Sequence, residues 1–99
     1  MKKSIIVSAL GPAAVQERHF HGKAMNFMQS FWTKQLDQVL PDQPDLIVLP
    51  EACDRFSGHS PEERYSYYRE RGNTMLDFFC KIARSNHCWI AYSAVMPEP

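Results

Sequence analysis

Excess charge of either sign is the first thing this chain lacks. Eleven lysines and arginines balance eleven aspartates and glutamates over 99 residues, with no block of like charge. Such a surface attracts neither a phosphate backbone nor an anionic bilayer, so nucleic acid and membrane are not expected partners. Cysteine is also scarce. Cys53, Cys80 and Cys88 are odd in number and have no CxxC spacing, which argues against a disulfide framework or a zinc ribbon. Reduced thiols in a cytoplasmic protein are the simplest expectation. Glycine is sparse as well. Leu10-Gly11-Pro12, after the first apolar segment, lacks the further glycines of a phosphate loop, so no nucleotide or other cofactor is expected. No apolar run is long enough to cross a bilayer. Met1-Lys-Lys-Ser-Ile-Ile-Val-Ser-Ala-Leu10 imitates a signal peptide, but Gly11-Pro12 cuts it short and Gln16-Glu17-Arg18 follows.

What is present is a globular composition, 44% apolar and 12% aromatic, too rich for disorder and of a size for one small domain or part of a larger one. Ile5, Ile6 and Val7 are β-branched and lie before Gly11-Pro12, predicting a first strand at 4–9. From Ala24, the residues Met28, Phe31, Trp32, Leu36, Val39 and Leu40 recur at helical spacing, and Pro41 and Pro44 stop that helix. A second strand follows at Asp45–Leu49. Ser60-Pro61-Glu62-Glu63 supplies a cap, a proline at the first helical position and a capping-box glutamate, predicting a helix to Arg71 closed by Gly72. Asn73 is expected to cap another helix ending near Asn86, with Met75, Leu76, Phe79, Ile82 and Ala83 on one face and Cys80 beside it. Cys88–Val95 reads as a buried third strand. This β-α-β-α-β order is that of an α/β protein with a parallel sheet and right-handed crossovers. Three parallel strands with an open edge predict the first part of a larger domain; a small complete module covered by a partner chain is the alternative.

The most informative segment is Asp45-Leu-Ile-Val-Leu-Pro-Glu51. Its four aliphatic residues suit a strand buried on both faces. Pro50 cannot donate to a ladder, so the strand stops there. Glu51 then falls just past the carboxyl end, where open parallel sheets place their ligand chemistry. A carboxylate held there beside apolar surface can serve as a general base. Most glutamates are solvated, so spacing alone favours an ordinary surface side chain. His19-Phe-His21 offers two imidazoles but no acidic or thiol partner nearby, so a solvated loop outweighs a metal site, and His59 and His87 read as loop residues. Tyr65, Tyr67 and Tyr68, among Arg64, Arg69 and Arg71, could stack single-stranded bases. Glu62, Glu63 and Glu70 dilute that charge, so a helix with a buried tyrosine edge is the better reading.

The first strand, the helix from Ala24 to Leu40, Pro44–Glu51, the helix Thr74–Asn86 and the strand from Cys88 follow in an order that resembles the start of the nitrilase, or carbon-nitrogen hydrolase, superfamily. The likeness spans nearly the whole chain, and its specificity sits in Asp45–Glu51. It implies that residues 1–99 are the N-terminal portion of a single four-layer α-β-β-α sandwich domain, with a homodimer allowed for. It also implies an enzyme with a Glu-Lys-Cys set that cleaves amide, carbamoyl or nitrile C–N bonds through a cysteine thioester. Glu51 matches the general base. The lysine that would stabilise the oxyanion and the nucleophilic cysteine lie later in the family's chain and have no counterpart here, so the 99 residues alone are expected to be inactive. The segment after the glutamate borders the family's active-site mouth, which makes Arg55, Phe56 and Tyr65 candidate substrate contacts. Cys53, two residues past Glu51, is expected to be a packed thiol rather than the nucleophile. Cys80 and Cys88 read as core residues, while Lys34 and Lys81 fall on helices away from the strand ends. The resemblance calls for no metal. Two rival readings remain: a non-catalytic α/β module pairing through its open sheet edge, and a small nucleotide or redox domain, already weakened by the missing glycine loop and CxxC pair.

Overall fold

A computed structural model describes residues 5–11, 24–56 and 60–94. The chain is a mixed α/β structure in the order β1 (Val7–Ala9), α1 (Ala24–Leu36), a 3-10 turn (Leu40–Asp42), β2 (Leu46–Val48), α2 (Pro61–Arg71), α3 (Thr74–Ser85) and β3 (Trp89–Ala91). The three strands are parallel and adjacent in chain order, β1-β2-β3. Their register sets Val7 beside Leu46 and Leu46 beside Trp89, with Ser8, Ile47 and Ile90 one step on.

The helices form where the sequence pattern directs them. Met28, Trp32 and Leu36 recur every four residues along α1 and are fully buried. The predicted helix ends four residues early, at Leu36. Past it, Val39 donates to the Leu36 carbonyl in a tighter i→i−3 turn, and Gln43 takes a left-handed φ of 51° before Pro44. Ser60 caps α2 through a complete capping box: its hydroxyl accepts from the Glu63 amide at 3.1 Å, and the Glu63 carboxylate accepts from the Ser60 amide at 2.9 Å. Asn73 precedes α3 but makes no side-chain cap, which corrects that expectation. The Asn86 amide group instead donates to the Ile82 carbonyl at the other end.

Right-handed crossovers between strands added in one direction deliver every connecting helix to the same side of the sheet. One hydrophobic core results. It joins Met28, Trp32 and Leu36 to Ile47 and Leu49 of the β2 segment, Met75 and Phe79 of α3, and Phe56, Tyr67 and Tyr68. Trp32 meets Phe79 edge-on, and Phe79 lies 4.8 Å from the Tyr92 ring. The opposite sheet face follows the pleat. Val7, Leu46 and Trp89, and then Ala9, Val48 and Ala91, fall on one side in register. This side is bare: Val7 is 55% and Trp89 80% exposed.

Three expectations are corrected by this one-sided burial. The second strand is not buried on both faces, since Leu46 and Val48 are only partly covered. The third strand is three residues long and open at Trp89 and Ala91. Cys80 and Leu76 look outward from α3 instead of into the core, because the buried stripe runs through Met75 and Phe79. Residues 4 and 95 of the predicted strands, His19, His21 and His59 lie outside the described residues.

Ile47, fully buried at the centre of β2, is the sharpest probe of this core. Ile47→Ala is expected to cost about 2–5 kcal/mol in urea unfolding, whereas Leu76→Ala on the open side of α3 should stay within about 0.5 kcal/mol.

Candidate functional site

The carboxyl end of β2 is locked before the chain leaves the sheet. The Leu49 amide donates to the Ala91 carbonyl at 3.1 Å, and Pro50 brings no further donor. Residues 51–54 then form a turn in which Ala52 takes a φ of 51°, a left-handed value that a β-carbon disfavours. The Arg55 amide closes the turn on the Ala52 carbonyl at 3.2 Å. Glu51 stands exposed at its start, just past the end of the central strand.

Under the turn lies a polar cluster that no sequence spacing announces. Asp54 and Arg71 are both essentially inaccessible to solvent. Arg71 Nη1 lies 3.2 Å from Asp54 Oδ1 and 3.1 Å from Oδ2. The Tyr92 hydroxyl donates to the same carboxylate at Oδ2. The Arg71 guanidinium also sits 4.8 Å from the centre of the Tyr68 ring, a cation–π contact. One residue earlier, Trp32 Nε1 of α1 donates to the Cys53 carbonyl at 3.0 Å in the interior. Burial explains why these groups must be paired: a lone charge here would forfeit its hydration with no return.

The same environment fixes protonation. Burial first, and the neighbouring Asp54 carboxylate second, together push the Cys53 thiol up from 9.0 to about 12. Its side chain is packed in the core, 3% exposed. Tyr92 and Tyr67 are raised too, first by burial; for Tyr92 the hydrogen bond to Asp54 adds to it, for Tyr67 the charge of Asp54.

The remaining sequence candidates separate. Arg55 is exposed on the same turn as Glu51. Tyr65 is exposed on α2, with Arg69 5.8 Å from its ring centre. Phe56 is packed in the core, 1% exposed and edge-on to Tyr67 at 5.0 Å. Lys34 and Lys81 are exposed on α1 and α3. Among the described residues, no group of three His, Cys, Asp or Glu side chains could hold a metal ion, and no helix is long and apolar enough to cross a membrane. A groove of about 490 Å³ runs along the β3 edge, lined by Leu76, Phe79, Cys80, Ile90 and Tyr92 among others. Arg84, His87 and Cys88 also line it, and it includes neither Glu51 nor Arg55.

No family model, curated protein or solved structure matches the chain. The residues therefore carry the functional reading alone.

Two outcomes follow from the cluster. Asp54→Ala leaves Arg71 buried without its counter-ion and is expected to cost about 3–5 kcal/mol, whereas the joint apolar replacement Asp54→Leu with Arg71→Met should restore most of that in the same urea titration. In the alkaline range the folded chain keeps protons that the unfolded chain has lost, so the unfolded state binds fewer. Stability should then fall as pH rises from 9.0 towards about 12 through Cys53, with the two tyrosines joining above 10.0. Each group costs about 1.4 kcal/mol per pH unit while it differs between the states, and Cys53→Ala should delay the onset of the decline.

Proposed function

We propose that this chain carries the glutamate-bearing portion of a carbon-nitrogen hydrolase of the nitrilase type. The observation that carries this reading is the position of Glu51: exposed, at the carboxyl end of the central parallel strand, on a turn fixed by buried contacts. A general base needs reach to its substrate and a set direction, and this position supplies both. In the proposed mechanism Glu51 takes the proton of a cysteine thiol as the sulfur attacks an amide, carbamoyl or nitrile carbon. It then takes a proton from the water that hydrolyses the thioester. Arg55, exposed on the same turn, and Tyr65 on α2 are the proposed substrate contacts.

The bare sheet face supports the finer fold proposed with it. An all-parallel sheet is normally covered on both sides. Helices on one side and an uncharged aliphatic surface on the other suit one half of an α-β-β-α sandwich, with a second sheet packed on Val7, Leu46, Val48 and Trp89. The same exposed apolar residues favour a second reading, a non-catalytic module that binds another chain through its sheet. Self-association with no chemistry would be its signature.

Ammonia release from a panel of simple amides, carbamoyl compounds and nitriles separates the two. The 99 residues should show no turnover, since they supply one of the three catalytic roles. The reading frame continued beyond Pro99 should be active, and Glu51→Gln in that longer protein should lower kcat by about 10²–10⁴. A well-folded longer protein without activity would sink the hydrolase reading, and turnover by the 99 residues would sink the assignment of roles.

A further inference from the structure

The geometry points to Asp54, Arg71 and Tyr92 as positioning residues that lock the turn bearing Glu51, an inference that rests on the reading of Glu51 as the base. The turn is not one the backbone adopts readily, because Ala52 sits at a φ of 51° with a β-carbon. Such a conformation persists only where its surroundings overdetermine it. Here the surroundings are specific. On the near side of Glu51 the sheet ladder holds Leu49 against Ala91. On the far side three elements converge on two consecutive residues: Trp32 from α1 on the Cys53 carbonyl, Arg71 from α2 and Tyr92 from beyond β3 on the Asp54 carboxylate.

An apolar cluster could fill this volume equally well, since a buried ion pair is a poor source of stability compared with hydrophobic residues of the same shape. Directional bonds provide what apolar packing does not, a defined orientation for the backbone they grip. Arg71 takes both carboxylate oxygens of Asp54, and the Tyr92 hydroxyl takes one of them as well, so the carboxylate is held from two sides. The residues bracketed between Leu49 and Cys53 are Pro50, Glu51 and Ala52 alone. The lock leaves Glu51 exposed while fixing where its Cα stands relative to β2 and β3.

Relaxation measurements on the isotope-labelled 99-residue chain test this directly. Amides of 51–54 should be as ordered as those of β2, with order parameters near about 0.85. In the Asp54→Leu, Arg71→Met double variant, residues 51–53 should fall below about 0.6 while the β1-β2-β3 amides keep their exchange protection. Unchanged order at 51–53 in that folded variant would overturn the lock. Tyr92→Phe, which removes one hydroxyl, is read the same way should the double variant not fold: lowered order at Glu51 supports the lock and unchanged order overturns it. In the reading frame continued beyond Pro99, the loosened variant should lose at least about tenfold in kcat with KM changed less than about twofold, the split expected when orientation and not binding is lost. Turnover with kcat unchanged would sink the lock and leave the hydrolase reading standing. No turnover in the unmodified longer protein would sink the hydrolase reading, and the order parameters would still decide whether the turn is locked.

Discussion

Handedness constrains this structure more than any single contact. Strands β1, β2 and β3 lie side by side in chain order, an arrangement in which crossovers of one hand, the right hand as a rule, place the connecting helices on one side of the sheet. That side collects Trp32, Ile47, Met75 and Phe79 into one core. The other side is left as a pleated surface of Val7, Leu46, Val48 and Trp89, aliphatic and aromatic and without a charge. The parallel direction also gathers all three strand ends at one edge, so the segments leaving β2 and β3 meet there. Both the site and the open face are consequences of the same topology.

At that edge the chain uses polar bonds where the rest of the core uses apolar contact. The distinction is physical. Apolar packing is non-directional and tolerates small shifts, whereas a carboxylate shared by a guanidinium and a phenol tolerates few. The cost is the desolvation of Asp54 and Arg71, offset by their mutual bonds and by the Tyr68 ring beside the guanidinium. Cys53 shares this environment and is held as a thiol by it. Cys53, two residues from the exposed Glu51, is thereby packed into the core.

The legibility of these features tracks the range of the interactions behind them. The α2 capping box was readable from Ser60-Pro61-Glu62-Glu63 because all its partners lie within four residues. The buried stripe of α1 was readable because a helix repeats every 3.6 residues whatever it packs against. The end of β2 was readable because Pro50 cannot join a ladder. By contrast, Leu36 and not Leu40 ends α1, where i→i−3 bonds take over from the α-helical pattern. The burial of Phe56 was not readable, because nothing local distinguishes an aromatic residue that lines a mouth from one that closes a core. The Asp54–Arg71 pair spans 17 residues and Asp54–Tyr92 spans 38, separations at which no periodicity operates.

The sequence by itself determined the elements, their order and the parallel direction that β-α-β crossovers favour, and with them the place of Glu51 after a strand that Pro50 ends. Local sterics, capping and periodicity suffice for those. Only the tertiary structure decided which sheet face is covered, that Leu76, Cys80 and Trp89 look outward, and that Asp54, Arg71 and Tyr92 meet beneath the turn. Those outcomes depend on which distant surfaces share one small volume, and burial and charge pairing are properties of that volume and not of any stretch of chain.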